Sequence, residues 1–184
     1  MKYYTGVGSR ETPASISTLM TQLAEKLASE GWALRSGGAE GADKAFELGS
    51  GGSDEIYLPW KGFNKSDSSL YLSALATDYV QEAFQIAKSI HPNWGACSPA
   101  AKKLHTRNIF QVLGSDLNTS SKFLICWTKD GLPSGGTRTA IVLAERDGVP
   151  VYNLGDLKFE TVMRGLLTEP NLGMLLAGPR GMGI

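Results

Sequence analysis

The chain has 184 residues, 42% of them apolar and 20% charged, with 18 basic and 18 acidic side chains and a formal net charge of zero. That length fits one domain around one core. The charge balance argues against a chain that coats nucleic acid by bulk electrostatics, which needs a surplus of cations, though it leaves room for a local basic pocket. The two cysteines, Cys97 and Cys126, lack CxxC or Cys/His spacing and point to neither a disulfide framework nor a metal site. No apolar run approaches the ~20 residues of a membrane span. "MKYYTGVGSR" has no signal-peptide core, so the expected location is the cytoplasm.

In chain order, "KYYTGVG" (2–8) is β-prone and ends in glycine. Pro13 opens a segment in which Ile16, Leu19, Met20, Leu23 and Leu27 recur at helical spacing, and Gly31 closes it. "WALRSGG" reads as a second strand, "AEGADKAFELG" as a helix and "DEIYLPW" as a third strand. This β-α-β-α-β rhythm predicts a parallel sheet with helices on its faces. Residues 61–75 break the rhythm and read as a loop or partly ordered excursion. Two helices follow, "TDYVQEAFQIAKSI" and "AAKKLHTRNIFQVLG", separated by "HPNWGACSP". "SKFLICWT" is apolar enough for a strand buried on both faces. Cys126 lies inside it and reads as an inert core thiol. A glycine turn, a helix, the strand "VPVYNLG" and a closing helix complete the pattern. The expectation is one doubly wound α/β domain over residues 1–168. It has about five parallel strands and a helical insertion between strands three and four. Residues 169–184 form a Gly/Pro-rich apolar tail that could pack on the surface, pair with another subunit or stay loose.

Ligands of open parallel sheets sit outside the carboxyl ends of the strands. Three strand ends here are glycine-rich and lead into helices, whose free N–H groups suit phosphate. The first turn offers Gly6, Gly8, Ser9 and Arg10. The second offers Ser36, Gly37, Gly38, Gly41 and Asp43. The third offers Ser134, Gly135, Gly136, Thr137 and Arg138. None is a Walker loop or a GxGxxG fingerprint, so neither ATP hydrolysis nor ordinary NAD chemistry is favoured. Arg107 joins Arg10 as an anion clamp, with Arg35 and Arg138 as further cations. Trp60 and Trp127, at strand ends, are candidates to stack on a base. Trp94, in the insertion, packs by default. His91 and His105 lack any metal or triad spacing and are left structural.

"SGGAEGAD", "RNIFQVLGSD" and "SGGTRTAIVLAERDGVPVYNL" resemble, in order and spacing, the Rossmann-domain motifs of the DNA-processing protein A (DprA/Smf) family. The wider superfamily, SLOG, also includes the cytokinin-activating phosphoribohydrolases (LOG). The resemblance covers residues 3–154 and adds Asn108 to the candidate site. It implies a Rossmann-like fold and a nucleotide or nucleotide-derived ligand; no separate cofactor or metal is expected. It also implies a homo-oligomer, as superfamily relatives often form. Small stand-alone members occur in bacteriophages, and such a member would work in host cytoplasm. The catalytic glutamate of the phosphoribohydrolase motif falls here on Ala140, with Glu145 further along the helix.

The leading expectation is therefore a protein that senses or sequesters a nucleotide-type signal intact. The alternative is an N-glycosidase or transferase acting on a nucleoside monophosphate. Glu40, the freest carboxylate of the second turn, would then be the catalytic group, with Glu11 or Glu145 behind it. Asp43 matches the aspartate of the family signature and would otherwise cap a helix. The third reading is single-stranded DNA binding.

Overall fold

The computed structural model describes residues 1–178; the last six residues of the expected tail, 179–184, lie outside the described residues. Five strands form one parallel sheet: β1 (Lys2–Gly8), β2 (Trp32–Ser36), β3 (Asp54–Ile56), β4 (Leu124–Trp127) and β5 (Val151–Asn153). Their order across the sheet is β3-β2-β1-β4-β5. Among the described residues the α-helices are α1 (Ala14–Ser29), α2 (Ala42–Gly49), α3 (Thr77–Ile90), α4 (Pro99–Leu113), α5 (Arg138–Arg146), α6 (Leu157–Leu166) and α7 (Leu172–Leu176). The expected doubly wound α/β architecture is present, and the fold is Rossmann-like. The expected helical insertion between β3 and β4 is also present, as α3 and α4.

The sheet is buried on both faces, which is why β4 reads as a continuous apolar run. Along β4 the side chains alternate between the two sides. Ile125 and Trp127 join the cluster under α1, α2, α6 and α7, with Tyr4, Leu23, Phe46 and Tyr152. Leu124 and Cys126 join the cluster under α3, α4 and α5, with Val7, Phe110 and Ile141. Burial pushes the Cys126 thiol far above its ordinary range, so it behaves as an inert apolar filler.

Residues 61–75 are ordered as two short 3-10 turns, at Phe63–Lys65 and Leu72–Ala74, with a bridge between Leu58 and Tyr71. The tail packs against the body as far as it is described. Leu172 and Leu176 are fully buried. Glu30, just past α1, accepts the Leu172 and Gly173 N–H groups at 2.9 Å each, satisfying free donors at the start of α7. Tyr152 Oη donates to the Leu176 carbonyl at 2.8 Å.

The strand order reverses direction between β1 and β4. That switch point opens a crevice beyond the strand ends, where an open α/β sheet has room for a ligand. Asn153 holds this edge in register: its Oδ1 accepts the Thr128 N–H at 3.0 Å and its Nδ2 donates to Thr128 Oγ1 at 2.7 Å.

Candidate functional site

A cleft of about 540 Å³ lies at the switch point. This size suits a nucleotide-sized ligand. Gly8, Ser9, Arg10 and Glu11, at the end of β1, form one wall. Ser134, Gly135, Gly136 and Thr137, entering α5, form another wall. Asp43 of α2, with Arg107, Asn108 and Gln111 of α4, forms the floor. Phe63, Thr128 and Lys129 also line it, with Val7, Ala39 and Ala140 and with Ala101, Leu104 and His105 of α4.

The first turn is held by its own backbone. Ser9 N–H donates to the Trp127 carbonyl at 3.1 Å, and Ser9 Oγ accepts the Glu11 N–H at 3.1 Å. Gly41 sits against it with φ of +84°, and a Cβ there would lie 2.5 Å from the Ser9 carbonyl oxygen. Only glycine lets the first two turns approach this closely. On the wall entering α5, Asn108 Nδ2 donates to the Gly136 carbonyl at 2.8 Å, fixing the third turn to α4.

Arg107 and Asp43 are both buried, with Arg107 Nη1 3.8 Å from Asp43 Oδ2. Arg107 donates to the Gly37 carbonyl, and also to the Tyr57 carbonyl at 3.2 Å. Burial outweighs the nearby guanidinium at Asp43 and raises its carboxyl from the ordinary 3.8 to about 6. The same burial lowers Arg107, with Asp43 and Glu47 opposing it. Arg107 Nε and Gln111 Nε2 are buried without a hydrogen-bond partner. Leaving a buried donor unpaired costs about 1–3 kcal/mol. His105 is lowered to about 4 by burial, by His91 and by Arg107, so its imidazole is neutral at physiological pH.

Of the residues singled out in the sequence, the cleft brings together Gly8, Ser9, Arg10, Asp43, Arg107, Asn108, Ser134, Gly135, Gly136 and Thr137. The others stand elsewhere. Gly6 makes room for the Phe46 ring, which would lie 2.6 Å from a Cβ there. Ser36 Oγ donates to the Gly6 carbonyl at 2.7 Å and ties β2 to β1. Gly37 is covered by the Arg107 and Gln111 side chains, and Gly38 by Leu58. The second glycine turn thus shapes the seat of Arg107 and lines the cleft only through Ala39 and Asp43. Arg138 donates to the Ile90 carbonyl at 2.9 Å, away from the cleft. Arg35 is buried and paired with Glu55 at 2.8 Å. Glu40 is exposed and outside the lining, whereas Glu11 is exposed and within it.

Both tryptophan assignments move. Trp127 faces the α1/α2 core, because β4 alternation sends it there. Trp60 packs edge-on against Phe63, with ring centroids 5.2 Å apart, and lines a separate groove. The aromatic in the cleft is Phe63, with the Arg107 guanidinium 5.9 Å from its ring centroid. Lys129 was also missed. Its signal was its position, two residues beyond β4 at the same edge as the glycine turns. Arg10 and Lys129 are exposed and make no ion pair among the described residues.

The chain is similar to the Moco carrier protein of Chlamydomonas rheinhardtii, at 19% identity over 90% of this chain and 85% of that one, with a TM-score of 0.49. It is also similar to DNA processing protein A from Helicobacter pylori, described for its single-stranded DNA binding, at 16% identity over 91% of this chain and 81% of that one, with a TM-score of 0.39. Neither similarity bears on a bacteriophage origin. No family model matches the chain. No curated protein matches it. Among the described residues no helix is long and apolar enough to cross a membrane.

Proposed function

We propose that the protein binds a nucleotide or nucleotide-derived signal in the switch-point cleft and holds it intact, as a sensor or a sequestering protein. The observation that carries this reading is the convergence of two strand-end turns and two unpaired cations on one cleft. The Gly8–Arg10 backbone and the Ser134–Thr137 hydroxyls and N–H groups line the same cleft, and groups of this kind suit a phosphate. Arg10 and Lys129 supply charge at the mouth, and the Phe63 ring offers a face for a base. Ala140, buried in the lining, stands where the phosphoribohydrolase motif has its glutamate, and Glu40 points its charge to solvent outside the cleft.

Cleavage of an N-glycosidic bond is the second reading, and Asp43 is the observation that favours it. A buried carboxyl titrating near 6 in a cleft is suited to proton transfer at neutral pH. Its pairing with Arg107 supports the structural role instead, because the pair anchors α4 to the second turn.

One incubation separates the two. Purified protein is mixed in turn with nucleoside monophosphates, dinucleotides, cyclic nucleotides and a single-stranded DNA oligonucleotide. Thermal shift reads binding, and chromatography after denaturation reads each compound's fate. A compound that stabilises the fold and returns intact supports the binding reading. Free base and ribose phosphate accumulating over many turnovers would replace it with the hydrolase. Stabilisation by single-stranded DNA alone would replace both.

A further inference from the structure

Three side chains of the α3–α4 insertion meet at the edge of the cleft: His91, just after α3, Cys97, just before α4, and His105, within α4. One potential ligand atom from each lies within 4.8 Å of the other two. Cys97 Sγ is 3.7 Å from His91 Nδ1 and 3.6 Å from Nε2. The two imidazole centroids are 4.5 Å apart.

We propose that His91, Cys97 and His105 form a zinc site. Zn²⁺ bonds sulfur at about 2.3 Å and imidazole nitrogen at about 2.0 Å, so tetrahedral ligand atoms stand roughly 3.5 Å apart. Cys97 and His91 already have this separation, and His105 lies within 4.8 Å of both; a metal on His91 Nδ1 would replace the Asn93 N–H that this nitrogen accepts at 3.2 Å. His105 Nδ1 is 2.8 Å from Thr139 Oγ1. In the tautomer in which Nδ1 donates to this hydroxyl, the Nε2 lone pair is left for a metal. Trp94 walls the group, with its ring 6.0 Å from that of His91 and 6.3 Å from that of His105. Such an apolar wall limits access of water and strengthens the bonds inside it.

One thiolate with two imidazoles is a soft donor set that suits zinc and not magnesium or calcium. On binding, the Cys97 thiol gives its proton to solvent and its sulfur bonds the metal. Three protein ligands leave a fourth position for water or for a donor atom from the adjoining cleft, whose lining includes His105. The site would also staple the end of α3 to the middle of α4. The linear spacing, His91 to Cys97 to His105, matches no zinc-finger pattern, so only the fold brings the three together.

The full-length protein, stripped with a chelator, is titrated with Zn²⁺ against a chromophoric competitor and separately with Co²⁺. The expected result is one metal per chain and a thiolate-to-cobalt absorption band in the near ultraviolet. Cys97→Ser removes the band and weakens zinc binding by about 100-fold, and Thr139→Val weakens it by about 10-fold. Far-ultraviolet circular dichroism of each variant reports that it has folded, and His91→Ala provides a second ligand test should Cys97→Ser unfold. Substoichiometric zinc at ten-micromolar free metal would overturn the proposal. So would a cobalt band or zinc affinity that survives Cys97→Ser. The metal alone is the probe, so the result stands apart from that of the nucleotide experiment.

Discussion

Asp43→Asn should stabilise the protein at neutral and alkaline pH. Asp43 is 3% exposed, so solvent screens it little. Its carboxyl is raised from 3.8 to about 6, which means that burial costs the ionised form more than Arg107 returns. Each pH unit of displacement corresponds to about 1.4 kcal/mol, giving about 3 kcal/mol against the ionised form. The native state binds the proton more tightly than the unfolded chain. Wild-type stability from this group is therefore full below pH 3.8 and lost as pH rises to about 6. Asparagine mimics the neutral acid in shape and keeps an acceptor for the Ala39 N–H, which lies 3.4 Å from Asp43 Oδ2. Urea unfolding of both proteins from pH 3.5 to 8 should show equal stability at the acid end. Above pH 6.5 Asp43→Asn should lead by about 2–3 kcal/mol. A gap that does not change with pH would refute the reasoning. So would a variant less stable than wild type at pH 8, which would show that the ion pair dominates the desolvation.

Other outcomes follow from the same geometry. Arg10→Ala and Lys129→Ala should each weaken binding of a nucleoside monophosphate by about 10-fold and leave stability within about 0.5 kcal/mol, by calorimetry and urea unfolding. Affinity for that ligand should be greatest below pH 6 and fall as Asp43 ionises, because a carboxylate in the floor repels an incoming phosphate; calorimetry across pH 5–8 reads the slope. Glu30→Gln should loosen α7 at a cost of about 1–2 kcal/mol, read as faster amide exchange at Leu172–Leu176 than elsewhere. Gly41→Ala should cost about 1–3 kcal/mol, because its Cβ strikes the Ser9 carbonyl and its positive φ resists any side chain.

The sheet and its helices were legible because each carries a period. The α1 face from Ile16 to Leu27 repeats at helical spacing, and β4 is apolar throughout. The cleft was legible at its edge, since glycine turns after β1 and before α5 announce where backbone stands bare. What a glycine is bare for was not legible. Gly6 and Gly37 are as suggestive in sequence as Gly8, yet one accommodates Phe46 and the other Arg107. Arg107 illustrates a second gap. A motif marks the guanidinium as an anion clamp, but only packing reveals that the Gly37 carbonyl and Asp43 already engage one side of it. Trp127 was misplaced because strand alternation tells which residues share a face and not which helices cover that face. Phe63 escaped because residues 61–75 have no period, and their fold depends on long-range contacts such as Asn64 Nδ2 to the Gly38 carbonyl, 2.9 Å. His91, Cys97 and His105 escaped for a similar reason: helix–helix packing, not spacing, draws them together.

The central claim is that the switch-point cleft recognises a phosphorylated nucleotide. Its most direct test is calorimetry with a nucleoside monophosphate and with the same nucleoside lacking phosphate, using the base that thermal shift selects. Each is titrated into wild-type protein and into the Arg10→Ala/Lys129→Ala double variant. The account predicts that the phosphate strengthens binding to wild type by about 10-fold or more and that the double variant loses most of that gain. Equal affinity for the two compounds, or a phosphate preference that survives in the double variant, would contradict it.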